Sequence, residues 1–249
     1  MALPTVRSGA QALYPLTKRI VFDTGVTYNS DATEQRWKRR APLWEFEWSY
    51  RSLLKADAAA MVAFFNGIKG LYGAFSFTLG ATTFANLNLL SDVLDVQQSG
   101  INEHNLRLVA RQTQNRGWTA PSWPSGAWPT FSSGASLQLP FGPGYRRLTT
   151  AGDSPTGTRY PYAWWGNGLS GLPAGPLRKF SIDLSLPDAD AATMETFCSW
   201  AQGRLNTWNF ADPFEGSAYY KMRFDTDAFE FQYLDVNHVQ VRVPLVEIN

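Results

Sequence analysis

Trp44, Phe46, Trp48 and Tyr50 alternate with Glu45, Glu47 and Ser49, the period-two pattern of a strand with one buried face. The pattern returns at Phe180, Ile182 and Leu184. In both places a different period follows. Met61, Phe64, Phe65 and Ile68 stand three and four positions apart, which predicts a helix running roughly from Ala56 to Gly67. A second helix should open after Pro187, with Asp188 as its cap, and carry Met194, Phe197, Cys198 and Ala201 inward. Gly70 and Gly203 suit the turn just past each helix end. Phe75-Ser76-Phe77 and Trp208-Asn209-Phe210 then read as the start of another strand.

These matches form an internal repeat. Ala41-Pro42-Leu43 aligns with Gly175-Pro176-Leu177, Phe46 with Phe180, Trp48 with Ile182 and Tyr50 with Leu184. After a single gap the alignment resumes with Asp57-Ala58-Ala59 on Asp190-Ala191-Ala192, Met61 on Met194, Phe64 on Phe197 and Gly70 on Gly203. Phe75 then falls on Trp208 and Phe77 on Phe210. Each half therefore reads strand, helix, strand, with more strands behind. In the second half these are plain: Tyr220, Met222 and Phe224, then Phe229, Phe231 and Tyr233, then Val239, Val241, Val243 and Leu245. Their counterparts in the first half are fainter, around Leu87 to Val96 and Asn105 to Ala110. The expected fold class is mainly β (α+β): two β-sandwich or barrel units, each with one packed helix.

The stretch between the halves has another character. From Gln112 to Gly175 it is dense in Gly, Pro, Ser and Trp, residues that interrupt ladders or loosen strands. The expected division is a first unit with an N-terminal arm over 1–112, an irregular connector over 113–158 and a second unit over 159–249, with opening strands near Tyr160 to Trp165.

Composition narrows the function. Aromatic residues make up 14% of the 249 positions, which favours pleated surfaces. The net charge is +1, from 22 Lys and Arg against 21 Asp and Glu, so a phosphate-gripping protein is disfavoured. One cysteine, Cys198, excludes an intrachain disulfide, and with His104 and His238 it cannot compose a four-ligand zinc site. Met1 to Ser8 lacks a signal-peptide pattern and no run of eighteen apolar residues occurs, so cytoplasmic synthesis without membrane insertion is expected.

Candidate chemistry is sparse. Cys198 reads as a small buried hydrophobe, and His104 and His238 as surface or turn residues. Glu45 and Glu47 could in principle form the carboxylate pair of a glycosidase, but two acids on the outer face of a strand read better as a solvated face or as partners for basic neighbours. Arg36, Trp37, Lys38, Arg39 and Arg40 combine an aromatic ring with cations, a mixture that can grip nucleic acid. The preferred reading is an exposed strand meeting acidic residues of a neighbouring subunit. Trp118, Trp123, Trp128, Trp164 and Trp165 could stack sugars, or plug a core or anchor a protein interface. No catalytic, cofactor-binding or metal-binding residue is assigned and no enzymatic activity is expected. The candidate interface residues are Arg36, Trp37, Arg39, Arg40, Trp123 and Trp128.

Between Arg19 and Phe77 stand Thr24-Gly25-Val26-Thr27-Tyr28, Glu34-Gln35-Arg36-Trp37, Arg39-Arg40 and Tyr50-Arg51-Ser52-Leu53. Ala63-Phe64-Phe65, Gly70-Leu71-Tyr72-Gly73 and Phe75-Ser76-Phe77 follow, and near the other end come Met222-Arg223-Phe224-Asp225-Thr226-Asp227 and Pro244-Leu245-Val246-Glu247-Ile248. In these segments the chain resembles the distal tail proteins of long-tailed phages and gene transfer agents. The resemblance implies a tail-tube-like domain, a β-sandwich with one helix, whose copies close into a ring around the DNA channel. It also implies the tail-tube protein and the hub or fibre proteins of the tail tip as partners, DNA only as passing cargo, and a place in the virion tail after assembly in the host cytoplasm. The family's usual member has one tube domain with a variable insertion, whereas this chain reads as two tube-like units. A ring of six chains is expected if one unit lines the channel, and a trimeric, pseudo-sixfold hub adaptor if both do. A receptor- or carbohydrate-binding module using the Trp-rich connector is the alternative.

Overall fold

In the computed structural model, residues 1–6, 11, 13–28, 34–115, 117–131, 145–150, 177–211, 219–235 and 237–248 are described, with backbone alone at 28, 145–150, 177–178 and 219–220. The fold is mainly β with a large antiparallel sheet. In chain order the elements are β1 (Leu16–Tyr28), β2 (Glu34–Leu54), α1 (Lys55–Ile68), β3 (Phe75–Leu79), β4 (Thr82–Leu89), β5 (Val96–Gln98) and β6 (Glu103–Gln112). Then come β7 (Tyr145–Thr150), β8 (Leu177–Leu186), α2 (Asp188–Ala201), β9 (Trp208–Ala211), β10 (Tyr219–Phe224), β11 (Ala228–Asp235) and β12 (His238–Glu247). The strand expected near Tyr160 to Trp165 lies outside the described residues. The stretch read as an irregular connector carries a strand, β7.

Pairings follow the same plan in the two series of elements. β2 neighbours β1 and β6, β6 also neighbours β4 and β5, and β3 pairs with β4. Likewise β8 neighbours β7 and β12, β12 also neighbours β10 and β11, and β9 pairs with β10. Registers agree where the two can be compared: Phe75 faces Leu87 across one pair, and Trp208 faces Met222 across the other. An edge segment precedes each series. Leu3 N donates to the Ser76 carbonyl at 2.8 Å beside β3, and Trp128 N donates to the Asn209 carbonyl at 3.3 Å beside β9.

By contacts the chain groups into two units, each gathered from three stretches. The first holds residues 1–21, 43–117 and 230–239. Its core lies between the inner face of β2 and α1: Phe46, Trp48 and Tyr50 meet Met61, Phe64, Phe75, Phe77 and Phe84, all buried. The Trp48 ring stands 5.0 Å from that of Phe77, edge to face, a geometry that adds to plain area burial. Ser52 takes a positive φ of 52° where the β2–β6 register slips, and its N–H donates to Asn105 Oδ1 at 2.9 Å. This bulge turns the strand end toward α1.

The second unit holds residues 22–42, 118–229 and 240–249. Phe180 and Ile182 of β8, Met194, Phe197 and Cys198 of α2, and Trp208, Phe224, Val243 and Leu245 are buried there. The helix begins at Asp188 with Pro187 as its cap residue and no side-chain cap bond, so the expected Asp188 cap is displaced by one position. Asp188 and Asp190 sit in the first turn instead, where acids oppose the positive end of the helix dipole. Both helices end alike. Lys69 and Gln202 are left-handed at φ 58° and 53°, followed by Gly70 and Gly203 at 59° and 66°, the helix stop that glycine makes cheap.

A candidate interface built around Asp227 and strands β1 and β2

Residues 22–28 and 34–42 belong to the second unit although they lie far from the rest of it in sequence. Asp227 holds them. Its carbonyl accepts from Phe22 N at 2.7 Å and its Oδ2 from Thr24 N at 3.1 Å. Its other oxygen, Oδ1, accepts from Arg204 N at 3.0 Å. Thr24 Oγ1 donates to the Gln202 carbonyl at 3.1 Å. A side chain on Gly203 would collide with Asp227 Oδ1. The left-handed glycine therefore lets the carboxylate reach the helix end and the β1 backbone together.

An ion pair fixes the other strand. Arg223 is 1% exposed and donates from Nε and Nη2 to the two oxygens of Glu34, both at 2.8 Å. Its Nη1 donates to the Phe224 carbonyl at 2.8 Å. This is the forked geometry in which arginine matches a carboxylate best.

The β2 residues singled out from sequence fall next to these anchors. Trp37 is 42% exposed and lies over Gly25, where a Cβ would collide with its ring. Arg39 and Arg40 reach Asp23 at 3.7 and 3.2 Å, and Arg36 stands 3.8 Å from Glu34. Lys38 Nζ sits 4.4 Å from the centre of the Trp118 ring, a cation–π contact. The acid expected from a neighbouring subunit is thus Asp23 of the same chain. The strand's cations are engaged locally, so its composition overstated what it offers to a phosphate.

Trp123 and Trp128 lie elsewhere in this unit. Their rings pack on Phe197 of α2 at 5.3 and 5.5 Å, and Trp128 also meets Phe210 at 5.8 Å. Trp123 Nε1 donates to the Ala127 carbonyl at 2.9 Å. They are half-buried core pieces rather than companions of Trp37. Trp164 and Trp165 lie outside the described residues.

The remaining candidates are structural in their surroundings. Cys198 is buried, and loss of solvent first, with the Glu195 charge second, pushes its thiol pKa well up. Glu47 accepts from Arg107 at 2.8 Å and Glu45 from Arg111 at 2.6 Å across the β2–β6 pair. His104 and His238 are half-buried on β6 and β12, not in turns. Among the described residues no cluster of three or more His, Cys, Asp or Glu side chains could hold a metal, and no helix is long and apolar enough to cross a membrane.

Sequence reasoning missed Asp227, Gln202 and Glu34 as anchors. A signal was present: Ser91-Asp92 follows β4 as Thr226-Asp227 follows β10. Leu71 N donates to Asp92 Oδ1 at 2.8 Å, the counterpart of Arg204 with Asp227. Ser91 Oγ and Thr226 Oγ1 accept from the N–H two residues on, at 3.0 and 3.1 Å. The chain matches no known family model and no curated protein sequence at a significant level.

Proposed function

We propose that this protein is a structural component of a long-tailed phage tail tip, a distal tail or hub-adaptor protein whose two tail-tube-like domains arose by duplication and close into a ring around the DNA channel. The observation that carries the reading is the doubled plan of elements. An edge segment, a strand pair, one helix and four more strands recur in the same order with the same neighbours. Their helices stop at equivalent left-handed turns and carry equivalent serine- or threonine-aspartate clasps. Two equivalent domains in one chain fit a trimer that presents six quasi-identical positions around an axis, since repeated interfaces of one kind generate closed rings. The sequence segments that resemble distal tail proteins supply the biological setting. Near-neutral charge fits a channel that DNA passes through without being gripped.

The packing of Trp123 and Trp128 on Phe197 weighs against the alternative of a sugar-stacking platform in the connector. Electron microscopy of the purified protein and of virion tail tips tests the reading. A closed ring with three chains around the axis is expected. Six chains would mean that only one domain of each chain lines the channel. A protein that stays monomeric under all conditions, with no density in tail tips, overturns the reading.

A further inference from the structure

β11 has two neighbours, β12 and β1. Its counterpart β5 pairs, among the described residues, with β6 alone. β1 likewise has two neighbours, β2 and β11, while its counterpart β7 pairs among the described residues with β8 alone. Two open strand edges thus remain, and they are the counterparts of two edges that pair with each other.

The surface beside β5 differs from its equivalent in the matching way. At the end of α2, Gln202, Arg204 and Leu205 are half-buried, and so is Asp227. The equivalent Lys69, Leu71, Tyr72 and Asp92 are all exposed, with Tyr72 at 86% and the neighbouring Val93 at 76%. Phe229, covered by the Phe22 ring at 6.0 Å, is fully buried, whereas its counterpart Leu94 is only half-buried. Local hydrogen bonding is already in place on this face. Asp92 Oδ1 holds Leu71 N, and Asn88 Nδ2 donates to the Leu71 carbonyl at 3.2 Å. What has no counterpart is the strand that Asp227 receives through Phe22 N and Thr24 N.

We infer that the open edge of β5, together with Leu71, Tyr72, Asp92 and Val93, is the docking surface for a second copy of this chain, which lays its β7 edge along β5 as β1 lies along β11. The two faces differ, so the contact is heterologous and head-to-tail. Such a contact propagates from copy to copy and closes only if its rotation divides a full turn. Strand addition supplies backbone hydrogen bonds, and an apolar edge left open in every free copy is the feature that promotes it. The inference rests on the ring reading and names its interface.

Tyr72→Arg and Val93→Arg, singly and together in the full chain, test it by native mass spectrometry and by hydrogen exchange of 96–98. Both side chains are exposed, so circular dichroism and the melting temperature should match wild type. The expected result is a double variant whose assembly is weakened roughly thirtyfold or more, as when a central contact is lost. The β5 amides should be protected in the wild-type ring and exchange freely in the dissociated variant. A double variant that assembles like wild type, or β5 amides that exchange freely within the wild-type ring, overturns the docking surface and leaves the ring reading standing. A wild type that never assembles overturns both.

Discussion

Arg223 and Glu34, 189 positions apart in the chain, form a two-pronged ion pair with both bonds at 2.8 Å and the arginine 1% exposed. Burial of an ion pair is costly in itself, but loss of one partner is costlier, because the survivor stays buried without compensation. Arg223→Met should therefore lower unfolding stability by roughly 3–5 kcal/mol. The double replacement Glu34→Leu with Arg223→Met should recover most of that loss. Urea denaturation of the three proteins checks this, and a double variant no better than the single one would mean the pair is not coupled as described.

Tyr50 gives a pH signature. Its ring is 1% exposed and its hydroxyl donates to the Gln11 carbonyl at 2.7 Å. Burial pushes its pKa well above the ordinary tyrosine value. A folded pKa above the unfolded one means that the native state holds the proton more tightly. The resulting stability is complete below the unfolded value of about 10 and falls as pH rises above it. Tyr50→Phe should cost about 1 kcal/mol at neutral pH. It should also flatten the alkaline decline, so that the two stability curves converge above pH ~10.

The helix-stop glycines should be intolerant of alanine. Gly70 and Gly203 are left-handed, and a Cβ on either would strike an aspartate Oδ1. Gly203→Ala or Gly70→Ala should each cost about 1–3 kcal/mol from strain at positive φ, with Gly203 the worse because Asp227 also holds β1. Gly80 has φ +58° but open space around it, so Gly80→Ala should cost roughly 1 kcal/mol. Thermal melts that ranked Gly80→Ala with the other two would refute the clash argument.

Trp128 should behave as a core residue. Its ring meets Phe197 and Phe210, so Trp128→Ala should lower stability by about 2 kcal/mol or more. A variant that melts like wild type but loses affinity for glycans would reverse the assignment and favour the sugar-platform alternative.

Cys198 should be silent in the native protein. It is fully buried with its thiol pKa raised, so it lacks both the access and the thiolate that alkylation needs. Its labelling rate by a thiol reagent should rise in step with the unfolded fraction in urea. Rapid labelling without denaturant would contradict the burial.

Local patterns decided much of this protein. The alternation around Phe46 and Phe180 placed β2 and β8, and three-four spacing placed α1 and α2 within one or two residues, because periodicity depends only on near neighbours in the chain. The same holds for Gly70 and Gly203, whose left-handed turns follow from helix endings alone. Tertiary structure decided the rest. No local rule assigns residues 22–42 to a unit otherwise made of residues 118–229 and 240–249, nor pairs Glu34 with Arg223. Such contacts depend on which strand edges meet, and edge pairing is settled by the whole chain's burial and hydrogen bonding. Arg39 and Arg40 show the consequence. Their charge was legible in the sequence, but Asp23 became their partner only once β1 lay beside β2.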